Sequence, residues 1–344
     1  MRQRFVLELS FYPDVLESAE ALTRRDRVIG AILKRALRRP TEFRHHRAFV
    51  FYEDSREFMV ALLKRLWAYS PLLIGGRLYE EHPHSVFGYT ILPEHVYTDW
   101  ECNQAEHLLM RVPWWCGEFG KSYDTRYDES RYCEKCGAGA KVIDRLIVPP
   151  RLARQVKGAM ISKFSRNEVV ISQEIAALLA KAGIEGFRLL PVVGPKSKLT
   201  PIEDVLHFQV ERECGAIPAR NLVDPKNRCP DYSRESPHRP GFWLLSPLYL
   251  RRDQLGGDLF VTRDHFEQYM GDILPGPLIV VSQKVYRILK NAGTQGVTFE
   301  PVFILDEPDD GIPCGHEFDN LEAEVAQMDL VVPHRPQPPK KGPA

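Results

Sequence analysis

The chain has no long apolar run, no net charge and no short motif of a familiar catalytic class. Nothing in it approaches the roughly 20 apolar residues of a membrane-spanning helix. Met1-Arg2-Gln3-Arg4 is not followed by the apolar core of a signal peptide, so a cytoplasmic location is expected. The 46 basic residues are balanced by 46 acidic ones, which removes the bulk basic excess usual in nucleic-acid binders. GxSxG, P-loop, GxGxxG and HExxH patterns are missing, which excludes the commonest hydrolase, phosphate-binding, dinucleotide and zinc-protease motifs. Cysteine is sparse and odd in number, seven. A fully paired disulfide framework would leave one over, so the thiols read as metal ligands or core residues of an intracellular protein.

What is present is ordinary in bulk and unusual in order. A hydrophobic content of 44% and a charged content of 27% suit a soluble globular protein. The length, 344 residues, accommodates two domains or one elaborated domain. Residues 168–193 reappear in outline as residues 278–303. At a constant shift of 110 they share Val170/Val280, Ser172/Ser282, Gln173/Gln283, Leu179/Leu289, Ala182/Ala292, Gly183/Gly293, Gly186/Gly296, Pro191/Pro301 and Val192/Val302. Such self-similarity is the mark of one module used twice.

Each copy predicts a strand, a helix and a strand. Val169–Ile171 and Ile279–Val281 are β-branched runs. Ser172 and Ser282 are placed to cap a helix N-terminus. Ile175, Leu178, Leu179 and Ala182, or Val285, Ile288, Leu289 and Ala292, form one helical stripe. Gly183 and Gly293 stop the helices, Gly186 and Gly296 turn the chain, and strands follow at 187–193 and 297–305. Pro191 and Pro301 predict that these strands lie at an edge or end there. Weaker lead-ins, Ile143–Val148 before Arg151 and Phe242–Leu250 before Arg251-Arg252, extend each repeat to nearly 60 residues.

The fold class expected is α+β: a duplicated strand–helix–strand module with a zinc knuckle, preceded by a separate α+β N-terminal region. Residues 1–100 form that region, 101–200 hold the knuckle and first repeat, 201–316 the second repeat, and 317–344 a C-terminal helix and flexible tail. Phe5, Leu7, Leu9 and Phe11 alternate, so Arg4–Phe11 reads as a strand. Ala48–Tyr52 reads as a second strand. Helices are expected at Glu17–Arg38 and from Asp54 or Ser55 to Pro71, and the stretch from Gly75-Gly76 to Pro93 as loop.

The sharpest chemical signal is Cys133-Glu-Lys-Cys136-Gly137. A CxxCG knuckle turns two thiolates toward one zinc, and structural zinc takes four ligands. Cys229 and His238 precede the second lead-in as Cys133 and Cys136 precede the first, so repeat symmetry favours Cys133, Cys136, Cys229 and His238 around structural Zn2+. Cys102 with Cys116, or Cys214 or Cys314 with His316, are competing completions, as is a chain with no zinc. Other polar groups read as surface: Tyr127–Ser130, His45-His46, Glu80–His84 and Asp306–Asp310. Trp100, Trp114 and Trp115 read as packing near the knuckle, with an exposed partner-binding cluster as the alternative.

The Cys133-x-x-Cys136-Gly137 knuckle and the duplicated VS–helix–AG-x-x-G–strand–PV unit resemble bacterial proteins of the double-CxxCG type. That group, well represented in myxobacteria, includes immunity proteins that neutralise toxins exchanged between kin. The repeat segment is similar to that of related polymorphic-toxin immunity families. The likeness covers about residues 113–305, and the sequence departs from the pattern in having one intact CxxCG. It implies a non-catalytic, zinc-stabilised binding protein whose partner is a cognate toxin. The alternatives are a nucleic-acid-associated zinc protein, suggested by Arg24-Arg25, Arg35, Arg38-Arg39, Arg44 and Arg47, and an enzyme with an unrecognised site.

Overall fold

The computed structural model describes residues 2–11, 41–43, 46–53, 74–75 and 87–306. Within the last span it leaves out 114–116, 129, 131–132, 135–136, 163–164, 196–199, 219, 222–243, 245–246 and 267–273. Before residue 95, and at 166–167, it describes backbone alone. The described residues form a mixed α+β structure, mostly strand with few helices. It divides into two compact units, one from Arg2 to Val96 and one beginning at Tyr97. Among the described residues no helix is long and apolar enough to cross a membrane.

The first unit holds a five-stranded sheet. Its strands are β1 (Arg2–Phe11), β2 (Thr41–Phe43), β3 (His46–Glu53), β4 (Ile74–Gly75) and β5 (Phe87–Val96), in the order β2-β3-β1-β5-β4. Both segments read as strands from the sequence, Arg4–Phe11 and Ala48–Tyr52, are strands here. The register sets Leu7 opposite Phe51 and Ile91, and Leu9 opposite Phe49 and Tyr89. Of the loop expected from Gly75-Gly76 to Pro93, residues 87–93 are instead strand β5, paired with β1, and residues 76–86 lie outside the described residues. The proline is tolerated because β4 pairs only with Gly88 and Tyr89. Among the described residues β5 has only β1 beside it from there on, the edge setting in which a strand tolerates proline. The expected helices at 17–38 and 54–71 and the tail at 317–344 lie outside the described residues.

The described residues of the second unit form two larger sheets and two strand pairs. It opens with helix α1 (Asp99–Gln104) and strand β6 (His107–Arg111). The connecting segment carries the hairpin β7 (Tyr127–Asp128)–β8 (Lys141–Val142), then β9 (Leu146–Ile147) and the short helix α2 (Pro150–Ala153). There follow β10 (Ala159–Ser162), β11 (Ser165–Ser172), α3 (Gln173–Lys181), β12 (Phe187–Val193) and β13 (Pro201–Val210). The last part runs β14 (Tyr249–Arg251), β15 (Leu259–Phe266), β16 (Gly276–Ser282), α4 (Gln283–Asn291), β17 (Thr298–Pro301) and β18 (Phe303–Leu305). One sheet has the order β10-β11-β13-β12-β9, the other β15-β16-β6-β17, with β14 and β18 paired in parallel beside it.

The local chemistry of the two helices is what the sequence predicts. The Ser172 hydroxyl accepts from the Ile175 N–H, and the Ser282 hydroxyl from the Val285 N–H, each at 3.3 Å. Both helices stop at a glycine in the left-handed region, Gly183 at φ +65° and Gly293 at φ +63°. Their buried faces are Ile175, Ala176 and Leu179, and Val285, Tyr286 and Leu289. Ala292, placed on the apolar stripe by the sequence, is exposed, because the helix has ended beneath it.

Three core clusters explain why the strands entering the helices are apolar without a break. Val169 and Ile171 point into a central cluster with both helices, while Val170 points the other way into a second cluster. Likewise Val281 joins the central cluster and Val280 the third. A strand buried on both faces has no polar alternation. Pro301 ends β17 as expected. Pro191 lies inside β12, at the point where the pairing with β13 slips and β9 takes over in parallel. The proposed boundary at residue 200 is not a boundary between sheets. β6 lies with strands of the second repeat, and β13 with strands of the first.

Candidate functional site

The Cys133 turn doubles back within a few residues. The Cys133 N–H donates to the Ala138 carbonyl at 2.9 Å, and the Cys133 carbonyl accepts from the Gly137 N–H at 2.7 Å. Gly137 has φ +76° and Gly139 φ +89°, conformations a side chain would strain. Cys133 is buried. Cys136, Cys229 and His238 lie outside the described residues, as do Cys116, Cys314 and His316. Among the described residues no three His, Cys, Asp or Glu side chains gather as a metal site.

The other described thiols are engaged elsewhere. Cys102 faces inward from α1, its Sγ 3.7 Å from the Phe299 carbonyl oxygen, and burial pushes its pKa up. Cys214 follows β13 and donates to the Gly215 carbonyl at 3.3 Å. Burial pushes its pKa to about 11. Neither is in a disulfide.

The segment leading to Cys133 is fastened to the β10-β11-β13-β12-β9 sheet through Glu168. Glu168, on β11, is fully buried. One of its oxygens accepts from the Lys121 N–H at 3.1 Å and from the Tyr127 hydroxyl. The hydroxyls of Ser162 and Ser165 lie against it as well. Ser162 also donates to the Phe119 carbonyl at 3.2 Å. Gly120, at φ +65°, leaves the room the carboxylate occupies; a Cβ there would fall 2.1 Å from it. Burial raises Glu168 to about 7 against the pull of these hydrogen bonds, and burial together with the adjacent carboxylate raises Tyr127. A carboxyl group titrating near neutrality is a candidate acid or base. Here its bonds run to the loop that carries Tyr127, so its action in this arrangement is to hold the 119–128 segment on the sheet. The signal for it lay in the repeat: Glu168 stands where the second copy has Leu278, a charge in place of an apolar residue.

The tryptophan expectation is corrected at Trp100, which is 70% exposed. The capping box of α1 sets the helix phase. The Thr98 hydroxyl accepts from the Glu101 N–H at 3.2 Å, and the Thr98 N–H donates to the Glu101 carboxylate at 2.8 Å. With that phase Cys102 faces the core, and Trp100, two residues and about 200° away, faces outward. Trp114 and Trp115 lie outside the described residues. Asp128 is exposed and accepts from the Ser130 N–H at 2.9 Å, a local turn. Asp306 is exposed and ion-paired with Arg252, which also meets Glu106 at 3.2 Å. His46 and Arg47 lie in β3. His45, Glu80–His84, residues 307–310 and the arginines at 24, 25, 35, 38, 39 and 44 lie outside the described residues.

No protein-family model matches the chain, and comparison with curated proteins finds no match.

Proposed function

We propose that the protein is a non-catalytic bacterial binding protein of the cytoplasm, stabilised by structural zinc, and that its partner is a cognate toxin it neutralises. The observation that carries this reading is Trp100. A large aromatic held outward on a rigidly capped helix is the kind of residue that anchors protein interfaces. The bonds around Cys133 support the zinc part: its carbonyl accepts from the Gly137 N–H, and Gly137 takes the positive φ that a knuckle glycine would need.

The two strand–helix–strand units are proposed to be one module used twice. Their caps, helix stops and turns agree, and each sheet inserts an antiparallel strand between the strand entering the helix and the strand leaving it. The module serves as scaffold for the knuckle and for the Trp100 helix.

Two measurements test the reading. Coexpression with a toxin encoded beside its gene should restore growth, and Trp100→Ala should weaken binding by about 2 kcal/mol, roughly thirtyfold. Full toxicity in the presence of the wild-type chain would overturn it. Metal analysis of the purified protein should find about one zinc per chain. Cys133→Ser and Cys229→Ser should both lose it; zinc retained in Cys229→Ser would eliminate the set Cys133, Cys136, Cys229 and His238.

A further inference from the structure

β11, α3 and β12 form a split β–α–β unit. Both strands run antiparallel to β13, hence parallel to each other, with one strand's width between them. β16, α4 and β17 form a second such unit, with β6 between its strands. In each, the helix closes a crossover over a gap, and the filling strand lies outside the unit's own span of sequence. β6 precedes the first unit in the chain but fills the second. β13 precedes the second unit but fills the first.

The correspondence between the halves then begins at these strands. The register pairs Ser172 with Val205 and Ser282 with His107, so β13 and β6 occupy equivalent positions. Beyond them, the Thr125 hydroxyl accepts from the Ile147 N–H on β9 at 3.1 Å. In the other half the Asn221 side chain accepts from the Tyr249 N–H on β14 at 2.9 Å. β9 joins β12 in parallel just as β14 joins β18. The Ser172 N–H donates to Gly158 O, and the Ser282 N–H to Asp258 O, each at 2.8 Å. The entries to β10 and β15 also meet the other half's turn. The Ala159 N–H donates to the Gln295 carbonyl at 2.9 Å, and a Cβ on Gly186 would fall 2.5 Å from the Leu259 carbonyl.

We infer that the repeat is a module of about 100 residues, β6 to β12 and β13 to β18, and that its two copies exchange their first strands. Each copy is thus the strand-binding partner of the other, the intramolecular counterpart of a domain-swapped dimer joined through residues 194–200. This rests on the two-module reading above. Without its partner's strand, each copy would present two facing unpaired strand edges beneath its helix, which is an aggregation-prone arrangement.

The test uses the full chain with a protease site inserted in residues 194–200. Two cysteine pairs are introduced separately: Arg111→Cys with Thr298→Cys, partners across β6 and β17, and Arg188→Cys with Gln209→Cys, partners across β12 and β13. Each pair spans the cut. After cleavage and oxidation, both variants should run as one covalently joined species on a non-reducing gel, and peptide mapping should place the bond at the designed pair. A third variant, Arg111→Cys with Arg188→Cys, should not form its bond. Fragments that run apart in both designed variants, joining that appears only between two intact chains, or a bond in the third variant would each overturn the exchange. Failure here leaves the zinc and toxin assays untouched, and failure there leaves this cross-link untouched.

Discussion

Glu168 is the residue whose role least resembles its sequence context. At the head of a β-branched run it reads as the polar boundary of a strand, yet it is fully buried and holds the loop carrying Tyr127 to the sheet. Burial raises its pKa from an ordinary 4.5 to about 7. The folded chain therefore holds this proton more tightly than the unfolded chain does. The contribution is fully present below about pH 4.5 and is lost as pH rises toward 7. Glu168→Gln keeps an acceptor for the Lys121 N–H and removes the titration. Urea midpoints at pH 5 and pH 8 should differ less in Glu168→Gln than in the wild type; identical pH dependence in both would refute the assignment. Trp100 and Cys102 make a related point. The sequence supplies both side chains, but the Thr98–Glu101 capping box decides which of them faces water.

At the scale of elements, most of the repeat was legible because its signals are local. A serine hydroxyl reaches the N–H three residues on, and a glycine takes a left-handed φ, whatever the rest of the chain does. Ser172→Ala and Ser282→Ala should each lower stability by about 1 kcal/mol, and the double variant should lose close to the sum. Unchanged denaturation midpoints would mean the caps carry no weight. β5, β6 and β13 were not legible in the same way. β5 contains a proline that only one-sided pairing excuses. β6 and β13 sit at an offset different from the 110 that aligns the helices, since the connecting segments of the two halves differ in length. A gapless comparison passes over them. At Cys133 the structure describes a backbone bond from Gly137, which has a positive φ, while Cys136 lies outside the described residues.

At the scale of the whole molecule, the close contact between the two halves is made by glycine. Gly158 has no unusual φ, so its need for glycine comes from the other half. A Cβ there would fall 2.2 Å from the Gln295 carbonyl oxygen. Gly158→Ala should cost about 1–3 kcal/mol, the range for overpacking, read as a drop in Tm. Gly183→Asn should be nearly neutral, because no atom lies within 4 Å of that position and asparagine tolerates the left-handed backbone. A Gly158→Ala protein as stable as wild type would show that the halves do not meet there.

The sequence by itself determined the mixed α+β class of the second unit, the limits of α3 and α4, and their caps and stops. All of these depend on interactions spanning a few residues. The tertiary structure alone decided which strands share a sheet and that Glu168 is buried. Strand partnership is set by pairings a hundred or more residues apart, as between β6 and β16, and burial is set by what packs against a face. Neither leaves a mark at the spacing where sequence periodicity is read.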